Sequence, residues 1–348
     1  MAEILGLGVT HQPTLTARQL QPNSLRGTLR DPGLPEELRT PDGWPEAMRR
    51  EWGDDEGATG AERHREALLP ELRAARKVLD DFAPDFVVIW GDDQYENFRE
   101  DIIPPFCVMA YDGFDVRPWE GQRKENYWQE PEDTRFQLAG HRAGAKYLTT
   151  GLLERGIDTS YAYRPLHHGL GHAFLNTVLY LDWDRVGFPY PVVPFQVNSY
   201  GRNVIATKGL QPSLANPVPE EDLDPPSPSP ARCFDLGVAT AQALVDSPWR
   251  VALIASSSWS HAFLTRKHWY LYPDHEADRE KFAAMERGEY DRWRDTSLAQ
   301  IEESGQQEML NWFCLIGAMS ELGRRPDHAT MIETHIMNSN KVIASFLP

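Results

Sequence analysis

The segment Phe86-Val-Val-Ile-Trp-Gly-Asp-Asp-Gln-Tyr-Glu-Asn-Phe98 constrains this chain more than any other. Its first five residues are apolar, β-branched or aromatic, and too few for a core helix, so they predict a strand buried on both faces. The run breaks at Gly91 into Asp92, Asp93, Gln94 and Tyr95. Polar groups just past the carboxyl end of a buried parallel strand are where α/β proteins keep their chemistry. Gly and Asp also end strands as ordinary turn residues, so the segment alone leaves turn and site equally open.

The neighbouring pattern supports an α/β reading. Leu68, Leu69, Leu72, Ala75 and Leu79 recur at helical spacing, predicting a helix over Ala61 to Phe82 that feeds the strand through Ala83-Pro84-Asp85. Further strands are expected at Ile4–Val9, Cys107–Ala110, Ser160–Tyr163, Pro191–Asn198 and Arg250–Ser256. Helices are expected at Thr134–Arg155, Phe234–Asp246 and Glu308–Leu322, and the C-terminal third reads as largely helical. Gly6 and Gly8 in the first strand let another group approach closely. Residues 19–60 are polar and rich in Pro, Gly and Arg, an irregular loop with a short helix near Glu46–Trp52. Residues 214–232 form a Pro- and Ser-rich insertion, and Asp112–Asp133 an aromatic-bearing loop. Strands lie on both sides of the insertion, so the expectation is one large three-layer domain over 1–348: a mixed, largely parallel sheet flanked by helices.

Composition narrows the function. A formal net charge of −17 opposes nonspecific nucleic-acid binding, because the phosphate backbone would be repelled. No apolar run nears the roughly 20 residues that span a bilayer. The first residues lack a basic n-region, so no signal peptide is expected. The three cysteines, few and far apart, suit a reducing compartment and argue against a cysteine-based zinc site. The expectation is a cytoplasmic protein. Neither G-x-G-x-x-G nor a P-loop occurs, which removes the motifs of nucleotide cofactors, and no G-x-S-x-G marks a nucleophile elbow.

What remains is a set of histidines and one glutamate at element ends: His11, His168, His261 and Glu308. Each alone is more often structural. Two imidazoles and a carboxylate on one face of a metal, with open positions opposite, form the arrangement of non-haem Fe(II) oxygenases.

With these residues in place, the chain resembles the class III (LigB-type) extradiol ring-cleavage dioxygenases, the family of the protocatechuate 4,5-dioxygenase β subunit. Gly8-Val-Thr-His11-Gln-Pro13 is similar to the family's H-x-P segment, and Ser260-His261 to its G-G-x-S-H segment. His168-Gly169 matches its aspartate-histidine-glycine segment with His167 at the aspartate. Glu308-Met-Leu-Asn311-Trp312 with Gly317-Ala318 matches E-x-x-N-W…G-A. The resemblance implies Fe(II) bound by His11 and Glu308, His261 as acid/base, and His168 orienting substrate, with a catechol-like ring and O2 as substrates. It departs at one place. Gly91-Asp92-Asp93-Gln94-Tyr-Glu-Asn-Phe98 fits the family's N-D-H-x-x-x-F frame with Gln94 where the second iron-binding histidine belongs. Either Gln94 coordinates weakly, Asp93 replaces it, or ordinary iron binding is lost; His172 or His167 would complete a rearranged site. Alternative functions are an altered-site relative acting on an aminophenol or enol, and a non-catalytic binding or partner subunit. A homodimer or a hetero-oligomer with a small subunit is compatible with the apolar C-terminal helix, although a core helix would look the same. Trp259 and the loop aromatics Trp119, Tyr127 and Trp128 are candidate pocket residues by position alone.

Overall fold

The computed structural model describes residues 2–121 and 125–348, so residues 122–124 of the expected 112–133 loop lie outside it. The described residues form ten strands: β1 (Ile4–Val9), β2 (Phe86–Asp92), β3 (Phe106–Met109), β4 (Gly113–Val116), β5 (Phe136–Ala139), β6 (Ser160–Ala162), β7 (Val192–Val197), β8 (Val251–Ser256), β9 (His328–Ile332) and β10 (Lys341–Phe346). Eight of them make one sheet in the order β6-β3-β7-β2-β8-β1-β10-β9. Its centre, β7-β2-β8-β1, is parallel. β3 runs antiparallel to β7 on one side, and β10 antiparallel to β1 on the other. The result is the expected mixed, largely parallel α/β sheet flanked by helices.

Helices cover both faces because the central strands are apolar on both. Phe86, Val88 and Trp90 of β2 pack with the helices Arg142–Glu154, Pro230–Val245 and Leu310–Glu321. Val87 and Ile89, which alternate with them, pack with the helices Ala58–Phe82 and His172–Leu181. The glycines of β1 admit close neighbours: an added Cβ at Gly8 would stand 1.9 Å from Trp312 Cη2, and one at Gly6 2.6 Å from Met319 Sδ. The helix Leu310–Glu321 buries every residue from Leu310 to Met319, so its apolar sequence is spent in the core.

Three expectations change. The helix read from Thr134 begins only at Arg142; Phe136–Ala139 instead pairs with Gly113–Val116 as a separate two-stranded sheet. The C-terminal third contributes two strands, β9 and β10, as well as helices. The 19–60 stretch carries short helices at Asn23–Thr28 and Glu46–Trp52 rather than one. No helix among the described residues is long and apolar enough to cross a membrane.

Candidate metal centre and active site

The carboxyl ends of β1, β2 and β8 meet at one edge of the parallel sheet. His11 follows β1 by two residues, Asp92 ends β2 and Ser256 ends β8. Glu308 arrives from behind, on the single 3-10 turn Gln307–Met309 that leads into the helix Leu310–Glu321. His172 is the first residue of the helix His172–Leu181. His11, Glu308, His261, His172 and Gln94 all line one cavity of about 320 Å³.

His11 is oriented by its Nδ1, which lies 2.9 Å from the carbonyl of Ser256 and 3.0 Å from the Ser256 hydroxyl. Donation to that carbonyl leaves Nε2 with a lone pair, 3.5 Å from both Asp92 Oδ1 and Glu308 Oε2. Burial lowers the His11 pKa to about 4, against the pull of Glu308, so the ring is neutral at pH 7. A neutral imidazole with one nitrogen fixed by a carbonyl is the form that ligates metals.

Glu308 is fully buried, and its Oε1 receives Tyr200 OH and lies 3.0 Å from His261 Nε2. Burial pushes its pKa up, but His261, His11 and the Tyr200 hydrogen bond outweigh that and hold it down at about 2. Asp92 is pushed the other way, by burial first and by Glu308 second. Asn311 Nδ2 lies 3.4 Å from Asp92 Oδ1 and 3.3 Å from the Ser256 carbonyl, tying the ends of β2 and β8 together. Two carboxylate oxygens in this cluster, Asp92 Oδ2 and Glu308 Oε2, are buried without a hydrogen-bond partner.

His172 stands edge-on to His11, with ring centroids 5.0 Å apart. Its Nδ1 is 2.7 Å from Glu96 Oε2, an oxygen that also accepts the His172 backbone N–H at 3.1 Å. Asn97 accepts the Gly171 N–H at 2.8 Å. The turn after β2 therefore caps the helix His172–Leu181 and sets the histidine's ring, leaving Nε2 as its free nitrogen. Burial works against charge on His172, but Glu96, Asp92 and Glu308 outweigh it and raise the pKa to about 10. Two buried carboxylates, Asp92 and Glu308, and the half-buried Glu96 thus converge on this corner and call for a cation. A proton on His172 is one answer; a metal that displaces that proton is another. His11, Asp92 and His172 each offer a ligand atom within 4.8 Å of the others, and the orphaned oxygens of Asp92 and Glu308 fit a hard divalent ion.

Among the other sequence candidates, Gln94 and His261 line the cavity, and Asp93, His167 and His168 do not. Asp93 turns its carboxylate into the following turn, accepting the N–H groups of Asn97 at 2.7 Å and of Glu96 and Phe98 at 3.2 Å. Gln94 lines the cavity, and its Nε2 donates to the Gly209 carbonyl at 2.6 Å. His168 is exposed; it lines a separate depression beside Asp115 and Arg117, and its carbonyl accepts Asn97 Nδ2 at 2.7 Å. His167 is 2.6 Å from Asp101. His261 places Nδ1 2.6 Å from the Trp259 carbonyl and so directs Nε2 at Glu308. Trp259 is fully buried against Trp293 and Trp312, and Trp119, Tyr127 and Trp128 pack against one another without lining this cavity. Sequence reasoning missed Asp92 and Glu96. The available signal was the strand itself, since Asp92 is its last buried residue.

No family model matches the chain. Curated relatives do. The chain is similar to 2,3-dihydroxyphenylpropionate/2,3-dihydroxicinnamic acid 1,2-dioxygenases. The Comamonas testosteroni protein is 27% identical over 195 residues, covering 56% of this chain and 49% of the relative. The Paraburkholderia xenovorans (strain LB400) protein is 29% identical over 191 residues, covering 54% and 46%. A Rhodococcus sp. protein is 30% identical over 125 residues, covering 36% and 34%. The chain spans about half the length of the first two of these relatives, and a third of the last.

Proposed function

We propose that this protein is a LigB-type, Fe(II)-dependent extradiol dioxygenase that opens a catechol-like ring with O2. The observation that carries the reading is the convergence of His11, His172, Asp92 and Glu308 on one buried corner of a cavity, with two carboxylate oxygens unpartnered. The names of the curated relatives support the reaction class. His11 and Glu308 keep the ligand roles implied by the resemblance. His172 takes the place that Gln94 leaves empty of imidazole, and Asp92 adds an oxygen donor.

Bound iron would supply the redox chemistry between ring and O2; this chain supplies geometry and proton handling. His261 reaches the cavity with Nδ1 held by a carbonyl, so its Nε2 is the atom that takes a proton from a substrate hydroxyl and returns it. Glu308, 3.0 Å away, favours the imidazolium formed when it does. Tyr200 donates to the same oxygen, Oε1, which leaves Oε2 for the cation. Phe263, Ile336 and Pro13 give the ring an apolar wall.

Metal analysis of the purified protein, with oxygen uptake on a panel of catechols and aminophenols, tests the reading. Stoichiometric iron, lost in Glu308→Ala and in His172→Ala, is the expected result. No metal after anaerobic loading and no uptake on any substrate would sink it. Uptake on aminophenols alone would move the reaction to the altered-site alternative.

A further inference from the structure

The relatives' names specify ring substituents that end in a carboxylate, and such a group must find a place in the cavity outside the metal corner. Among the described residues, the mouth of the cavity offers it nothing cationic. Gln21, Asn23, Ser24, Gln211 and Asn338 form this rim, all neutral amides or hydroxyls. They are already linked: Gln211 Nε2 donates to Ser24 Oγ at 2.8 Å, and Ser24 Oγ donates to Asn338 Oδ1 at 3.2 Å. Among the described residues, no lysine or arginine lines the cavity.

Three cations on the described segments that flank the cavity are engaged elsewhere. Arg26 pairs with Glu56 and lies over the Trp52 ring. Lys208 pairs with Glu100 at 2.8 Å. Lys341 is buried behind the wall, where its ammonium holds the carbonyls of Met337 and Ser339. Within the site, Asp92 and Glu308 together match the charge of a divalent ion, which leaves no surplus to attract an anionic tail. The formal net charge of −17 adds a long-range field of the same sign. A carboxylate moved from water to this rim would be desolvated without a counter-charge, whereas a carboxamide or hydroxyl finds both donors and acceptors there.

We propose that the neutral amide–hydroxyl rim selects catechols whose ring substituent is uncharged and hydrogen-bonding, and discriminates against those bearing a carboxylate. This rests on the catechol reading of the same cavity. It makes Gln211, Ser24 and Asn338 specificity residues, and it separates this chain from the substrates for which its relatives are named. The cavity volume of about 320 Å³ admits a ring with a short side chain, so charge rather than size decides.

The test is anaerobic equilibrium binding to the iron-loaded full chain, measured calorimetrically with three probes: catechol, 3-(2,3-dihydroxyphenyl)propionate and the corresponding propionamide. The amide is expected to bind at least tenfold tighter than the carboxylate. Gln211→Arg, an exposed position that tolerates a long side chain, is expected to cut that ratio at least fivefold by giving the carboxylate a partner. Equal or tighter binding of the carboxylate to the unaltered protein overturns the proposal, as does an unchanged ratio in folded Gln211→Arg. If catechol binds and neither substituted ring does, the rim assignment fails while the dioxygenase reading stands. If catechol itself does not bind iron-loaded protein, both fail.

Discussion

Asp278 is fully buried beneath the site and ties together the three segments that shape it. Its two oxygens each lie 3.1 Å from the backbone N–H of Ser260, next to His261. Gln306 donates to one oxygen at 2.7 Å, two residues before Glu308, and Asn340 to the other at 2.7 Å, beside the 337–339 wall. Burial raises its pKa from 3.8 to about 7, with those hydrogen bonds pulling the other way. A carboxyl whose folded pKa exceeds its unfolded pKa binds its proton more tightly when folded. Its contribution is therefore fully present below about pH 4 and is lost as pH rises through 7. The whole shift corresponds to roughly 4 kcal/mol, of which on the order of 2 kcal/mol falls between pH 5 and 8. Asp278→Asn keeps the shape and mimics the protonated acid. At pH 5 the variant loses on the order of 1–3 kcal/mol, because its NH2 faces a donor. By pH 8 the gap to the unaltered protein narrows by on the order of 2 kcal/mol, since only the carboxylate then carries a buried charge. Urea unfolding of both proteins at pH 5, 6, 7 and 8 measures the gap directly, and groups titrating elsewhere cancel in the difference. A gap that stays constant, or widens as pH rises, refutes the assignment.

Three further perturbations probe the architecture. Gln94→Ala removes the bond to Gly209 but no proposed ligand, so iron content should stay near stoichiometric; loss of iron in this variant with retention in His172→Ala would restore Gln94 as the ligand. Glu96→Gln preserves the shape that caps the helix His172–Leu181 but removes the charge behind the His172 ring, and should weaken metal affinity about 10- to 100-fold in a competition titration. Unchanged affinity would detach His172 from the metal. In Gly317→Ala the new Cβ would stand 2.0 Å from the Phe234 carbonyl, where the helices Pro230–Val245 and Leu310–Glu321 cross, and reaching an ordinary contact of 3.0 Å or more means separating them by about 1 Å. The expected cost is about 1–3 kcal/mol in urea unfolding, with reduced metal binding because Glu308 leads into the displaced helix; a loss below about 0.5 kcal/mol would show that the crossing is slack.

The parts of the fold legible in the sequence were those whose signal is local. β1, β2, β7 and β8 are short apolar runs bounded by turn residues, and each sits close to its expected place. Phe136–Ala139 read as the start of a helix because Phe-Gln-Leu-Ala has no strong strand preference of its own; it becomes a strand by pairing with Gly113–Val116, 20 to 26 residues away. β10 was hidden by Lys341, a residue that argues against a buried strand until its ammonium is seen capping the carbonyls of Met337 and Ser339. The site shows the same division. His11, His261 and Glu308 converge, each at an element end. His168 and His172 differ by four positions, and only the start of the helix His172–Leu181 decides which of them enters the cavity.

The turn after β2 therefore carries a different burden from the one its sequence suggests. Read as a motif, it offers Asp93 and Gln94 as donors at a position where imidazole is expected. In the folded chain Asp93 is consumed by three backbone N–H groups, and that closes the turn tightly enough to present Glu96 and Asn97 to the next helix. Those two residues set the helix start, and the helix start sets His172. In the proposed site the second imidazole comes from this neighbouring element, and the turn after β2 acts as its clamp. Asp92, fixed by its place as the last buried residue of β2, needs no such help: its backbone is paired with Val197 of β7 and its carboxylate is met by Asn311 Nδ2, which leaves it little freedom to turn away.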